Sequence, residues 1–204
     1  MMEANCMLNR KVICVVALLL VIAVSFGAWQ IWLYLNLLVI KEDFESGFGE
    51  WEYDADVPLD PTNPGQPVAW NITRLTDVVY SGQYAIRLFI DGSQDDGTIW
   101  LERKIVASKN AQVSVTMSFW LFSEHESFNT VAAVVAFAGV RNPEEESDFE
   151  VLGAANQVSG WKQYKFETTV NTEANGEVWV ALGVSVRWET VMTYYIDNIE
   201  ITVR

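Results

Sequence analysis

Cysteine and histidine are nearly absent from this chain of 204 residues. Its two cysteines, Cys6 and Cys14, both lie near the N-terminus, and His125 is the only histidine. Residues 42–204 therefore have no disulfide and no thiolate nucleophile. Zinc sites, which usually draw on several cysteines and histidines, are excluded there, and a serine triad has one histidine to use. A domain in this part depends on the size of its core for stability.

Basic residues are also scarce. The chain contains 13 Lys and Arg against 27 Asp and Glu, for a formal net charge of −14. Such a surface repels the phosphates of nucleic acids and of anionic lipids. No glycine-rich phosphate-binding loop is found either. The composition therefore excludes a nucleic acid partner and gives no support to a nucleotide cofactor.

One long stretch, residues 12–40, lacks charge altogether. As a helix it would extend about 44 Å, more than the ~30 Å hydrocarbon thickness of a bilayer. Arg10 and Lys11 precede it, and acidic residues follow Lys41. Because basic residues favour the cytoplasmic side, the pattern predicts a cytoplasmic tail at 1–11, a transmembrane signal anchor at 12–40 and an extracellular domain at 42–204.

Two alternatives for this stretch remain open. A cleaved signal peptide also begins with basic residues and an apolar run, although Phe26 occupies a position before Ala28 where cleavage favours a small side chain. In its second half, Trp29, Gln30 and Asn36 interrupt the aliphatic run. Polar residues there can pack against a partner helix, so the stretch is a candidate assembly surface as well as an anchor.

From residue 42 onward, apolar and polar residues alternate in short runs separated by turn residues. This period is typical of half-buried strands, and long amphipathic helices are absent from the pattern. About nine strands without βαβ spacing predict an all-β domain, an antiparallel β-sandwich of the jelly-roll kind. The predicted strands are 42–45, 68–76, 84–90, 98–106, 111–122, 130–140, 162–170, 178–188 and 193–203.

Two of these runs have a clear inner face. In the first run, mostly polar residues alternate with five apolar ones, Val113, Val115, Met117, Phe119 and Leu121. In the second, mostly small residues alternate with Val178, Val180, Leu182, Val184 and Val186. The alternation places three larger side chains on the side opposite the core, where small neighbours leave them uncovered. These are Trp120, Trp179 and Arg187.

Five segments stand out in order along this domain: DFESG at 43–47 followed by Trp51, YSGQYAI at 80–86, the strand at 115–121, GWKQY at 160–164 and YYIDNI at 194–199. They resemble the landmarks of carbohydrate-binding modules of families four, sixteen and twenty-two, which share a galactose-binding-like jelly roll. Trp51 and Trp161 belong to these landmarks and are predicted to be core residues.

The resemblance implies a structural calcium ion where the first strand meets the last. Carried over to this chain, its ligands are Glu45, Asp197 and the backbone of residues 81–83, including Ser81 and Gln83. Calcium takes six to eight oxygen ligands, and two carboxylates with carbonyl groups would supply part of that set. Such an ion would also link the ends of a domain that has no disulfide.

The resemblance further implies a neutral polysaccharide or glycan as ligand, held where aromatic rings stack on sugar rings. Trp120, Trp179 and Arg187 are the candidate binding residues, and Trp188 and Trp100 are secondary candidates. These positions follow from strand alternation, which a single β-bulge would reverse.

The acidic residues Glu146, Asp148 and Glu150 have the E-x-D-x-E spacing of laminarinase-like glycoside hydrolases. Catalysis by that group needs two carboxylates about 5 Å apart on one strand face. Here the motif follows a charged segment, and Ser147 replaces an aliphatic residue, so it is predicted to be a solvated loop. No catalytic residue is predicted, and the chain is expected not to be an enzyme.

Together these features predict a membrane-anchored, non-catalytic carbohydrate-binding surface protein with a structural calcium site. The alternative is a structural or accessory subunit of a cell-surface assembly or membrane complex, which would use the sandwich for contacts with itself or another protein. An independent sugar-binding module usually accompanies a catalytic domain, so the lack of one in this chain is expected to favour the subunit over the first function.

Overall fold

A computed structural model describes residues 15–16, 18–27 and 37–204. Residues 15–16 and 18–27 are helical, and within the described ranges no helix is both long and apolar enough to cross a membrane. The rest of the stretch predicted as an anchor, up to residue 36, lies outside the described residues. Leu38–Val203 forms a compact unit of its own.

This unit is a sandwich of two antiparallel sheets, as the sequence predicts. Its strands are, in chain order, β1 (Leu38–Glu42), β2 (Glu52–Asp56), β3 (Trp70–Leu75), β4 (Ala85–Gly92), β5 (Thr98–Val106), β6 (Gln112–Ser123), β7 (Ala132–Gly139), β8 (Glu150–Ala154), β9 (Gly160–Asn171), β10 (Glu177–Val186) and β11 (Thr190–Val203). Sheet A has the order β3-β4-β11-β6-β9, with β1 beside the second half of β11, and sheet B has the order β2-β5-β10-β7-β8.

The core lies between the sheets and is built from the inner faces of both. The alternation predicted for the two clearest runs is confirmed, because the five inner residues of β6 and the five of β10 are all buried. Trp51 is also a core residue, as predicted, with 4 % of its surface exposed. Burial of this continuous apolar cluster is what stabilises a domain without disulfides.

The sandwich begins earlier than the sequence predicts. Leu38, Val39 and Ile40, the last three residues of the predicted membrane span, belong to β1 and pair with β11. The predicted strand at 42–45 is wrong, since Phe44 adopts φ 59° in a turn. A short run of Leu, Val and Ile fits a buried strand as well as a helix, so periodicity did not locate the boundary.

Two strands were missed. They are β2 and β8, and each lies at an edge of sheet B. Strand β2 reads EYDAD, so its acidic side chains conceal the strand pattern. Charged residues are common at sheet edges because they oppose pairing with other chains.

Candidate functional site

The structure places Trp120 and Trp179 on opposite faces of the sandwich. Trp120 lies on β6 in sheet A, paired with Gln163 and Asp197. Trp179 lies on β10 in sheet B, paired with Lys104 of β5. Both point away from the core, so each stands on the outer face of its own sheet. Strand alternation distinguishes inside from outside but not one sheet from the other, and these two tryptophans do not form one binding surface.

Trp179 forms part of an open groove of about 520 Å³, which we call the Trp179 groove. The indole is partly exposed, and Lys104 Nζ lies 5.8 Å from its ring centroid. Strand β2 begins at Glu52, opposite Glu102, so the groove lies along the part of β5 that β2 does not cover, and two residues of β1 in sheet A also line it. Its lining is Leu38, Ile40, Glu50, Glu52, Glu102, Arg103, Lys104, Ile105, Val106 and Trp179.

The polar side chains of the Trp179 groove are partly paired with one another. Arg103 forms an ion pair with Glu50, and Lys104 Nζ lies 3.2 Å from Glu177 Oε1. Glu52 stands directly opposite Glu102 in the β2–β5 pair, where two carboxylates repel each other. The groove therefore combines one large aromatic ring with several charged hydrogen-bonding groups, at a small net negative charge.

Glu102 is the most buried of these carboxylates, with 3 % of its surface exposed. Trp100 Nε1 donates to it at 2.7 Å, and Asn142 Nδ2 donates at 3.0 Å. Burial raises the pKa of Glu102, and the charges of Asp54 and Glu52 add to that effect, whereas the two hydrogen bonds oppose it. The carboxylate is thus held in place by donors on the sheet and on the β7–β8 connection.

Trp100 itself is fully buried, so its candidacy as a ligand-binding residue is wrong. The β7–β8 connection, residues 140–149, covers this part of sheet B, and the ring of Phe149 packs on Trp100 at a centroid distance of 5.0 Å. A residue on an outer sheet face can be buried by a loop of its own chain, and strand alternation carries no sign of that.

The acidic motif lies within this covering connection and is not a freely solvated loop. Arg187 Nη1 donates to Glu146 Oε1 at 2.6 Å, and Thr98 Oγ1 donates to Glu146 Oε2 at 2.9 Å. Burial tends to raise the pKa of Glu146, but these bonds outweigh it, and the pKa is lowered. Asp148 is paired with Arg141. The connection is thereby fastened to the sheet.

Arg187 does not lie near Trp179. The two residues are eight positions apart along β10 and its continuation, which corresponds to roughly 26 Å of extended chain. Arg187 instead binds Glu146, and Trp188 lies in the turn before β11 with 56 % of its surface exposed. The three predicted binding residues are therefore found at three separate places.

Trp120 is covered on one side by Tyr80 from the β3–β4 connection, residues 76–84. The two rings are stacked, with centroids 4.2 Å apart and planes 16° from parallel. Tyr80 also contacts the edge of Trp161 at 5.5 Å. Trp161 lies partly exposed on the outer face of β9 beside Phe122, so its prediction as a core residue is wrong.

The β3–β4 connection is held by the two carboxylates predicted as calcium ligands. Asp197 Oδ2 accepts from the backbone N–H groups of Tyr80 and Ser81, both at 3.0 Å. Glu45 Oε1 accepts from those of Gln83 at 2.7 Å and Tyr84 at 3.0 Å. The residues of the predicted site do meet here, although the bonds involve the N–H groups of residues 81 and 83, where carbonyl oxygens were predicted.

Two carboxylates, Glu45 and Asp197, are close enough at this point to affect each other's charge, and among the described residues no group of three or more Asp, Glu, His or Cys side chains is placed to hold a metal ion. Burial raises the pKa of Asp197, and the neighbouring charge of Glu45 raises it further, while the N–H bonds lower it. Among residues 37–204, neither carboxylate forms an ion pair with a lysine or an arginine. A carboxylate has about four lone-pair positions, so both groups retain acceptor capacity after the bonds described above.

Four residues of these surfaces were not identified from the sequence. Tyr80 and Gln163 were assigned to landmark segments without a binding role, and Glu102 and Lys104 lay in a predicted strand. Their positions follow from which strands are neighbours, as in the pairing of Lys104 with Trp179. An outward-facing polar residue on a neighbouring strand is the one signal that would have identified them.

Neither the protein-family models nor the curated proteins include a match to this chain. Solved structures do match, and those similar to it include carbohydrate-binding modules, among them modules of the families sixteen and twenty-two to which the sequence pointed. A family 61 module, solved with β-1,4-galactotriose, matches with 15 % identity and a TM-score of 0.46, covering 78 % of this chain and 92 % of that one. The family 22 tandem of Paenibacillus barcinonensis Xyn10C matches with 15 % identity and a TM-score of 0.46 (81 % and 50 %). A family 16 module matches with 12 % identity and a TM-score of 0.44 (78 % and 94 %).

Proposed function

We propose that this protein binds a neutral glycan through the Trp179 groove. The observation that carries the proposal is a partly exposed indole in an open groove of about 520 Å³, surrounded by charged side chains. Binding sites for small molecules combine apolar or aromatic surface with a few polar groups that set orientation. The apolar face of a sugar ring can stack on Trp179, while Glu52 and Lys104 bond its hydroxyl groups.

The charge of the groove favours an uncharged ligand. Its lining contains three carboxylates, Glu50, Glu52 and Glu102, against the two cations Arg103 and Lys104. The whole chain is acidic as well, with a net charge of −14. An anionic polysaccharide would be repelled by this field, whereas a neutral chain is not affected by it.

Replacing Trp179 with alanine is expected to abolish most of the binding. Loss of one stacking aromatic costs roughly 2 kcal/mol or more at a binding hot spot, which corresponds to about a 30-fold weaker interaction. Affinity electrophoresis measures this loss of binding as a smaller retardation of the variant in gels that contain xylan, β-1,4-galactan or mixed-linkage β-glucan. The matched control is Phe128→Ala, since Phe128 is fully exposed in the β6–β7 loop. If none of these polysaccharides retards the wild-type protein, the proposal is contradicted.

The proposed function involves no catalysis. The acidic motif supports this, because Glu146 is bound to Arg187 and Thr98, and Asp148 is paired with Arg141. A glycosidase needs one carboxyl group to act as an acid and a second to act as a nucleophile or base. Carboxylates engaged in this way serve to hold the β7–β8 connection on the sheet.

We also propose that Glu45 and Asp197 bind a structural calcium ion. A cation would offset the repulsion between the two carboxylates and hold the β3–β4 connection on the sheet. Occupancy at about 100 times the dissociation constant would stabilise the domain by about 2.7 kcal/mol.

Millimolar calcium is therefore expected to raise the melting temperature by several degrees, an effect measurable by differential scanning calorimetry. Glu45→Gln should abolish the shift, because it removes one of the two charges. Glu167→Gln, at an exposed site on β9, should retain it. An equal shift in the Glu45 variant, or none in the wild type, would rule out this site.

The charge-free stretch before β1 supports a single-pass membrane anchor with a cytoplasmic N-terminus. An accessory subunit is the second candidate function, and the exposed side chains of Phe128, Trp188 and Val191 favour it, since apolar exposure marks contact surfaces. The electrophoresis experiment separates the two, because a subunit without affinity for glycans is not retarded.

A further inference from the structure

The outer face of sheet A carries a groove of its own, of about 330 Å³, which we call the Trp120 groove. Trp120 stands on the outer face of the sheet opposite that of Trp179, and the two grooves share no lining residue, although each includes residues of β1. The lining is Lys41, Glu42, Asp43, Ser118, Trp120, Gln163, Asn198, Ile199 and Glu200. Polar groups thus surround a single tryptophan, as they do in the Trp179 groove.

One side of Trp120 remains available to the groove. Tyr80 stacks on Trp120 and also contacts Trp161, which pairs with Phe122 two residues further along β6. Tyr80 therefore lies on the Phe122 side of Trp120. Ser118, two residues before Trp120 on the same face, lines the groove on the other side. The indole stands between a tyrosine that supports it and an open space.

The stacked tyrosine holds Trp120 in a defined position. The backbone N–H of Tyr80 donates to the buried carboxylate of Asp197, so the tyrosine is fixed at its main chain as well as through its ring. Asp197 pairs with Trp120 across the β11–β6 ladder. A ring fixed in this way loses little conformational entropy when a ligand stacks on it, which favours binding.

The groups around Trp120 suit hydroxyl-rich ligands. Ser118, Gln163 and Asn198 each offer donors and acceptors without net charge. Lys41 and Glu200 form an ion pair at 3.1 Å, so their charges offset each other. Glu42 and Asp43 leave the lining with a negative charge, which excludes anionic ligands as in the Trp179 groove.

We propose that the Trp120 groove is a second glycan-binding site, so that the domain holds two separate segments of neutral polysaccharide, one stacked on each tryptophan. This inference rests on the proposed function. A straight glycan chain cannot stack on both tryptophans, because they stand on the outer faces of opposite sheets, which pack about 10 Å apart. Occupation of both grooves therefore links two chains, or two distant segments of one chain, and raises the avidity for a polysaccharide network.

The test is the number of sites per chain, measured by isothermal titration calorimetry on the full chain in detergent micelles. Xylohexaose, cellohexaose and β-1,4-galactohexaose are titrated in turn. We expect about two sites in the wild type, about one each in Trp120→Ala and Trp179→Ala, and none in the double variant. Phe128→Ala, on a loop away from both grooves, should keep both sites.

Because Trp120→Ala also removes the stacking of Tyr80 on Trp120, a second variant, Gln163→Ala, tests the same groove while it keeps that stacked pair. Gln163 is exposed on the outer face of β9, and its loss should weaken one site about tenfold while leaving the other unchanged. Circular dichroism confirms that each variant is folded.

Each remaining outcome decides between the proposals. A single site in the wild type that survives Trp120→Ala overturns this inference and leaves the proposed function intact. Two sites that are both lost in Trp179→Ala place the second site outside the Trp120 groove, which also overturns it. Absence of heat with every oligosaccharide, together with absence of retardation by the polysaccharides, overturns the proposed function itself.

Discussion

Replacing Trp100 with alanine is expected to lower the free energy of unfolding by about 3–5 kcal/mol, as for other fully buried tryptophans. The side chain has no exposed surface and packs on Phe149. Its Nε1 also donates to Glu102, so the variant leaves a buried carboxylate with one donor fewer. Urea unfolding followed by far-ultraviolet circular dichroism measures the loss.

Two companion variants separate the causes. Trp100→Phe retains most of the apolar bulk but lacks the N–H group, and its cost is expected to be about 1–3 kcal/mol. Trp188→Ala is the matched control, because Trp188 is 56 % exposed, and it should change stability by no more than about 0.5 kcal/mol. Equal losses in Trp100→Ala and Trp188→Ala would show that the β7–β8 connection does not cover sheet B as described.

Replacing Asp197 with alanine is the second change with a large expected effect, about 3 kcal/mol in the presence of a chelator. The carboxylate is fully buried and accepts from the N–H groups of Tyr80, Ser81 and Asn198. All three donors lose their partner in the variant, and an unpaired buried donor costs about 1–3 kcal/mol. Release of the β3–β4 connection into water recovers part of that cost.

Hydrogen exchange tests the local consequence of this change. Amides of residues 80 and 81 should exchange faster in Asp197→Ala, since their acceptor is gone, while those in the centre of β10 are unaffected. Asp197→Asn keeps one carbonyl oxygen and should lie between the alanine variant and the wild type. Glu200→Ala, at an exposed site, is the control. The prediction fails if Asp197→Ala costs no more than this control.

Most strands could be predicted because their sequence pattern is local. The run at 98–106 was located to the residue, since the polar loop at 91–97 marks its start clearly and β-favouring residues such as Ile99, Trp100 and Ile105 fill it. By contrast, β2 escaped detection because its edge position tolerates acidic residues. The first three residues of strand β1 were assigned to the apolar stretch ahead of it, because a run of three apolar residues is too short to distinguish strand from helix.

Which residues share a surface could not be predicted in the same way. Trp120 and Trp179 each face away from the core, as the alternation indicates, but that property is the same for either sheet. The partners that complete each surface, such as Gln163 beside Trp120, come from strands far away in sequence. Their proximity depends on the order of strands in each sheet, which no local pattern contains.

The sequence by itself determined the β-sandwich, the inner faces of its central strands and the acidic, cysteine-free character of the domain. These properties are set by side-chain period and composition, which act over a few neighbouring residues. Only the tertiary structure decided that Trp100 is buried, that Arg187 binds Glu146 and that Trp120 and Trp179 lie on opposite faces. The reason is that the order of the strands assigns each tryptophan to its sheet, and that the connection 140–149 folds onto sheet B, where hydrogen bonds to residues distant in the chain hold it.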